Sequence, residues 1–232
     1  QKNSIKIIIN CAAYTAVDKA EDEIELAKKI NEDGSRNLAL SGAKIIHIST
    51  DYVFDGNNYK PYLPQDKTNP ISVYGRTKLA GELAVLENAK IAIIVRTAWL
   101  YSAHGNNFVK TMQRLGAEKE TLNVVADQIG SPTFAGDLAQ AIVDILPQIN
   151  EVNKGIYHYT NEGVCSWYDF AVKIMELSGL NCNVNPIPSS AYPTKAARPF
   201  YSVLDKASIK ETFGIVIPHW EYGLKRCLKQ LV

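Results

Sequence analysis

An excess of charge of one sign is the first thing this 232-residue sequence lacks: 25 Lys and Arg stand against 24 Asp and Glu, a formal net charge of +1. That balance gives no general attraction to phosphate backbones or anionic lipid, so no nucleic-acid partner is expected. Long hydrophobic runs are also missing. Stretches such as Ile5–Ala13 and Ile91–Val95 fall short of the ~18 apolar residues of a membrane span, and no membrane partner is expected. The first residues, Gln1-Lys2-Asn3-Ser4, have neither the apolar core nor the small-residue cleavage site of a signal peptide. Cysteine is scarce: Cys11, Cys165, Cys182 and Cys227 lie far apart with no C-x-x-C pair, which suits buried thiols in a reducing, cytoplasmic setting. With 46% hydrophobic residues and this length, the chain can bury a full core without staples, which excludes disordered and disulfide-scaffold classes.

Several catalytic signatures are absent too. His47, His104, His158 and His219 show no H-x-x-x-H spacing and no neighbouring Cys, so no metal site is expected. His47 and His158 fall in strand-like runs and read as satisfied core residues. No G-x-S-x-G elbow offers a serine nucleophile, and no G-x-x-x-x-G-K-[ST] loop offers a phosphate cradle. The 14 glycines contain no G-x-G-x-x-G. If the fold binds a dinucleotide, its phosphate-binding turn is expected before residue 1, with the chain beginning partway into a domain.

What is present is an alternation of short β-branched runs with helical patterns, the order that builds a parallel sheet covered by helices. Strands are expected at Ile5–Ile9, Lys44–Ser49, Ile91–Val95, Leu122–Val125 and Ile156–Tyr159. Helices are expected at Glu23–Ile30, Glu32–Leu40 (stopped by Gly42), Lys78–Glu87, Phe108–Leu115, Gly136–Ile149, Ser166–Leu177 and Tyr222–Leu231. Ser166 with Asp169 reads as a capping box. Pro186, Pro188, Pro193 and Pro199 crowd an aperiodic loop. The reading is an α/β chain with a Rossmann-like, doubly wound parallel sheet whose first strands lie outside it. Residues 1–150 would form a partial dinucleotide-binding domain, and 151–232 mainly a small substrate-binding lobe.

The densest chemical signal is Val73-Tyr74-Gly75-Arg76-Thr77-Lys78-Leu79-Ala80-Gly81-Glu82. Tyr74 and Lys78 sit four apart, so on a helix they share a face. A nearby ammonium is expected to pull the phenol's pKa down toward working pH and make Tyr74 a usable proton donor. By itself the pair is weak, because chance alone predicts about one Y-x-x-x-K in a chain of this composition. Position strengthens it: the strand ending Ser49-Thr50-Asp51 places a hydroxyl at the carboxyl end of a parallel strand, where ligands bind in open α/β sheets. The small-residue turn Asn10-Cys11-Ala12-Ala13-Tyr14 ends the first strand and lets a flat ring or diphosphate approach.

Together, Asn10–Glu21, Ser49–Gly56, Val73–Glu82, Arg96–Tyr101 and Asp127–Thr133 closely resemble the dTDP-4-dehydrorhamnose reductases, which are extended short-chain dehydrogenase/reductases. The resemblance runs from residue 5 to near the C-terminus. It implies a catalytic Thr50, Tyr74 and Lys78, and a dinucleotide lined by Ala12, Ala13 and Tyr14 with its ribose held by Lys78. It also implies a sugar nucleotide met by Thr50, Asp51, Trp99, Asn107, Phe108 and Arg198, the last a diphosphate ligand in the Pro-rich loop. The cofactor would be NADPH or NADH, the partner a dTDP-sugar, and the assembly a homodimer as is frequent in the family. Gln65 stands where the family usually carries an acidic residue. A dehydratase or epimerase on the same fold is the nearest alternative, but dehydratases carry Asp-Glu where this chain has Asp51-Tyr52. A non-catalytic, dinucleotide-binding regulatory subunit is the other, and the intact Thr50, Tyr74 and Lys78 set argues against it.

Overall fold

The structure, a computed structural model, describes residues 5–231. Its centre is a parallel sheet of β1 (Ile7–Asn10), β2 (Lys44–Thr50), β3 (Ala92–Thr97) and β8 (Gly155–His158), in the order β1-β2-β3-β8. The pairing places Asn10 beside His47 and Thr50 beside Thr97. Every residue of β3 is buried, as its nearly unbroken apolar run demands of a strand covered on both faces.

The helices on one side are α1 (Val17–Ala20), α2 (Ile24–Lys28), α3 (Gly34–Ala39) and α4 (Val73–Asn88). Ile45, Ile94 and Val85 meet beneath α3 and α4. On the opposite face, Ile46, Ile93 and Val95 pack on α6 (Ala135–Ile145) and α8 (Ala207–Phe213). A second core gathers α5 (Phe108–Glu118), α7 (Trp167–Ser178) and α9 (Trp220–Lys229) around the two-stranded parallel sheet of β5 (Thr121–Val125) and β10 (Asn183–Ile187). Short strands tie the two parts: β4 (Leu100–Tyr101) pairs with β7 (Thr133–Phe134), and β6 (Ile129–Gly130) with β9 (Cys165–Ser166). No helix among the described residues is long and apolar enough to cross a membrane.

The sequence places the main strands to within a few residues, and the differences have local causes. Helix α4 begins at Val73 rather than Lys78, because the Ser72 hydroxyl accepts the Gly75 N–H and opens the helix earlier. The expected Glu23–Ile30 and Glu32–Leu40 helices are joined by a π-helical turn at Lys29–Asp33, and Gly42, at φ +80°, lies beyond the helix end at Ala39. The Ser166 capping box forms as expected: Ser166 Oγ accepts the Asp169 N–H at 3.0 Å and Asp169 accepts the Ser166 N–H at 2.9 Å. Pro186, assigned to a loop, instead sits in β10, an edge strand where a missing N–H costs nothing. Helix α8 has no counterpart in the sequence reading, since it is only seven residues long.

Candidate active site

A cavity of about 980 Å³ opens at the carboxyl ends of β2 and β3, between the main sheet and the second core. Thr50, the last residue of β2, lines it, and its hydroxyl accepts the Tyr52 N–H at 3.2 Å. Tyr74 and Lys78 enter from the first turns of α4. Gly75 is what lets α4 come so close: a Cβ there would stand 2.3 Å from the Tyr52 carbonyl oxygen. The Tyr52 ring meets Tyr74 edge-on, with centroids 5.3 Å apart, and fixes the phenol beside Thr50.

The electrostatics differ from the expectation. Burial pushes the Tyr74 phenol up to about 12, and only its contact with Thr50 works against that. Lys78 donates to the Ile48 carbonyl at 2.7 Å, and burial pushes its ammonium down to about 8. The cation thus faces the strand end rather than the phenol. Lys78 carries three N–H donors and spends one on Ile48, which leaves others for hydroxyls entering the cavity.

Burial of two groups behind the site is complete. Arg96 of β3 and Glu82 of α4 form a two-pronged ion pair, Nε···Oε1 2.9 Å and Nη2···Oε2 2.7 Å, and Arg96 also donates to the Pro64 carbonyl. On the other side of α4, the Asn10 amide donates to His47 Nδ1 at 2.9 Å and accepts the Ala12 N–H at 3.1 Å, which holds the 11–13 turn.

Over residues 1–232 the chain matches the family described as RmlD substrate binding domain. It is 44% identical to the dTDP-4-dehydrorhamnose reductase of Escherichia coli (strain K12), an alignment covering 97% of this chain and 79% of that protein. It is 42% identical, with the same coverage, to the spore coat polysaccharide biosynthesis protein SpsK of Bacillus subtilis (strain 168). The crystal structure of a dTDP-4-dehydrorhamnose reductase from Clostridium acetobutylicum superposes with a TM-score of 0.93 at 46% identity, covering 97% of this chain and 81% of that one. That of the Bacillus anthracis enzyme in complex with NADP gives 0.92 at 45% identity, covering 97% and 80%. The chain belongs to the dTDP-4-dehydrorhamnose reductase family.

The Rossmann-like sheet is therefore the family's fold, and most residues expected at its site do line one cavity: Ala13, Thr50, Asp51, Tyr74, Lys78, Trp99, Asn107, Phe108 and Arg198. Ala12 and Tyr14 do not; the Tyr14 phenol instead donates to Glu23 at 2.5 Å on the exposed side. Asn107 is the N-cap of α5, its amide already donating to the Ser102 carbonyl and its carbonyl accepting the Lys110 N–H. Arg198 pairs with Asp18, distant in sequence and so invisible to local inspection. Of the cysteines expected to be buried, Cys11 is exposed and lines the cavity. His47 and His158 are buried as expected but not fully satisfied, since the Nε2 of each has no partner.

Sequence inspection missed Trp167, which stacks on Trp99 with centroids 3.6 Å apart and planes at 9°, with Phe108 tilted against it. Trp99 holds φ at +48°, a left-handed conformation rare for a bulky residue. Gly130 makes room for it, since a Cβ there would lie 2.7 Å from Trp99 Cε2. The capping box opening α7 was the available signal, because it puts Trp167 in a helix's first turn.

Proposed function

We propose that this chain reduces the C4 keto group of dTDP-4-dehydro-L-rhamnose to the alcohol of dTDP-L-rhamnose with NADPH, a step in building nucleotide sugars for polysaccharide. The observation that carries the reading is the meeting of Thr50, Tyr74 and Lys78 at the floor of one cavity, in a chain 44% identical to such a reductase. The residues present suit the nicotinamide-ribose end of the dinucleotide: Cys11 and Ala13 are small enough for a ring to approach, and Lys78 has N–H groups to offer ribose hydroxyls. When bound, NADPH supplies the hydride that adds to C4.

Charge then develops on the carbonyl oxygen, and the Tyr74 phenol gives its proton to that oxygen. The Thr50 hydroxyl lies beside Tyr74 and orients the same oxygen. Lys78 keeps the ribose in register with the N–H groups that the Ile48 carbonyl leaves free. Asp51, Trp99, Asn107 and Phe108 contact the sugar nucleotide, and the planar fork of Arg198 meets its diphosphate. Residues 1–150 supply the dinucleotide half and residues after about 150 mainly the substrate half. Simple reduction is favoured over dehydration because Tyr52 stands where a second carboxylate would be needed. Oxidation of NADPH by the purified chain with dTDP-4-dehydro-L-rhamnose tests the reading; no turnover with that substrate, alongside turnover of another 4-keto nucleotide sugar, overturns it.

A further inference from the structure

We propose that Trp167 is a positioning and specificity-determining residue for the sugar: it holds the Trp99 indole in a strained pose that gives the sugar end of the cavity a flat apolar wall. The inference rests on the reading of Trp99 as a contact of the sugar nucleotide, and adds the residue that makes that contact rigid.

Trp99 is where the chain turns out of the main sheet. It follows Thr97, the β3 partner of Thr50, by way of Ala98, and precedes Leu100, which pairs with Thr133 of β7. Its carbonyl accepts the Thr133 N–H at 3.1 Å, and its φ of +48° makes the turn. Among the described residues it is the one non-glycine residue at positive φ. Glycine or asparagine adopts that conformation at less cost, so a tryptophan persists there only where its surroundings hold the side chain.

One short ladder supplies the hold. Strands β6 and β9 pair with Gly130 opposite Cys165 and Ile129 opposite Ser166, and Trp167 follows Ser166 as the first residue of α7. Gly130 leaves room for one edge of the indole, since a Cβ there would stand 2.7 Å from Cε2 and 2.8 Å from Nε1. Trp167 covers a face of the same indole, with centroids 3.6 Å apart and planes at 9°. Trp167 is itself fixed: Phe108 of α5 tilts against it at 4.6 Å, and the Ser166–Asp169 capping box pins the turn that carries it. All three rings line the cavity, and Trp99 is the one tied by the β2–β3 pairing to the strand end that carries Thr50.

Rigidity is what this arrangement adds. A pyranose presents apolar C–H groups, and a flat indole covers them without loss only when it is already in place, because ordering a mobile side chain on binding weakens the complex. Trp167 orders the indole in advance. Its effect should therefore fall on what the sugar contributes to binding and leave the contribution of the nucleotide alone.

Calorimetric titration with dTDP and with dTDP-L-rhamnose tests this, because the ratio of the two dissociation constants isolates the sugar. Trp167→Leu should reduce the sugar's contribution to that ratio by roughly 3- to 10-fold, the usual worth of an aromatic pair, with the constant for dTDP unchanged. Trp167→Phe keeps a ring against the indole and should retain most of the contribution. Gly130→Ala displaces the indole from its other side, and should lower the ratio with Trp167 intact; it reads the same contact if Trp167→Leu does not fold. In a Trp99→Ala background, Trp167→Leu should change nothing further, since its effect passes through that indole. Where Trp99→Ala lowers the ratio, an unchanged ratio in Trp167→Leu, an equal weakening of dTDP itself, or losses that add in the double variant overturn the proposal. If Trp99→Ala itself leaves the ratio unchanged, the underlying reading of Trp99 as a sugar contact fails instead.

Discussion

Asp18 and Arg198, 180 residues apart in sequence, close on each other through two parallel contacts, Nη2···Oδ2 at 2.7 Å and Nη1···Oδ1 at 3.1 Å. The Asp18 carboxylate also accepts the Ala196 N–H at 3.0 Å, and Lys195 pairs with Asp22. These contacts draw the loop carrying Tyr192, Thr194 and Arg198 over the cavity mouth, against α1.

If that guanidinium also meets the diphosphate, Arg198→Ala should raise KM for the sugar nucleotide by roughly 10- to 150-fold, the equivalent of about 1.5–3 kcal/mol. Because the contact is remote from the reacting carbon, kcat should change little. Asp18→Asn keeps the guanidinium and should shift KM by far less. Steady-state kinetics of both variants separate a substrate ligand from a loop tether; equal effects would leave Arg198 only the tether.

Replacing Tyr74 with Phe removes one hydroxyl from a buried ring. Turnover should fall by about 10²–10⁴-fold, the usual contribution of a general acid, while the melting temperature stays near that of the parent. Single-turnover rates beside a thermal melt give both quantities, and a variant that keeps its turnover excludes Tyr74 from proton transfer.

Gly130→Ala would put a methyl group 2.7 Å from the Trp99 indole and 2.8 Å from Ser202 Oγ. Overpacking of this kind costs on the order of 1–3 kcal/mol, and here it should displace the indole from Trp167. The stacked pair, at 3.6 Å, should give an exciton couplet in circular dichroism that Gly130→Ala weakens and Trp167→Phe abolishes. Persistence of the couplet in Trp167→Phe would mean that it arises from other aromatic pairs.

Glu82→Gln breaks an ion pair whose side chains are 2% and 1% exposed, leaving the Arg96 charge without its partner. A loss of about 3–5 kcal/mol is expected from urea unfolding, since stranding one member of a buried pair costs more than the pair itself contributes. A change below about 1 kcal/mol would show that the Pro64 carbonyl and the Phe54 face, 5.1 Å from the guanidinium carbon, suffice to hold the charge.

Acid should destabilise the fold through His47 and His158. Burial, reinforced by Lys78 for His47 and by Arg96 for His158, holds both imidazoles down at about 3, whereas unfolded histidine titrates near 6.5. The unfolded chain therefore binds the extra protons, so this stability is complete above about pH 6.5 and is lost as pH falls toward 3. Asp51 acts oppositely, its raised pKa favouring the fold as pH falls from about 7 to 4, but one carboxyl opposes two imidazoles. Urea midpoints measured from pH 7 to pH 4 should decline, and less steeply in His158→Asn; an unchanged slope would remove His158 as a cause.

Legibility of the site in the sequence followed contact range. Thr50 ends a strand and Tyr74 and Lys78 share one helical face, so strand ends and four-residue spacing single out these positions, while the family resemblance assigns their roles. Arg198 and Trp167 are different. Nothing near Arg198 hints at Asp18, and nothing near Trp99 hints that Trp167 will stack on it.

The sequence by itself determined the parallel sheet, through β-branched runs buried on both faces, and the chemistry at its carboxyl end, through side chains set by helical and strand periodicity. Tertiary structure decided the protonation states. The phenol of Tyr74 stands near 12 rather than drawn toward neutrality, and the carboxyl of Asp51 near 7, because burial removes water from both while the Lys78 ammonium in the same cavity is turned to the Ile48 carbonyl. Periodicity fixes which residues share a face, but desolvation depends on everything packed around that face, and those neighbours come from every part of the chain.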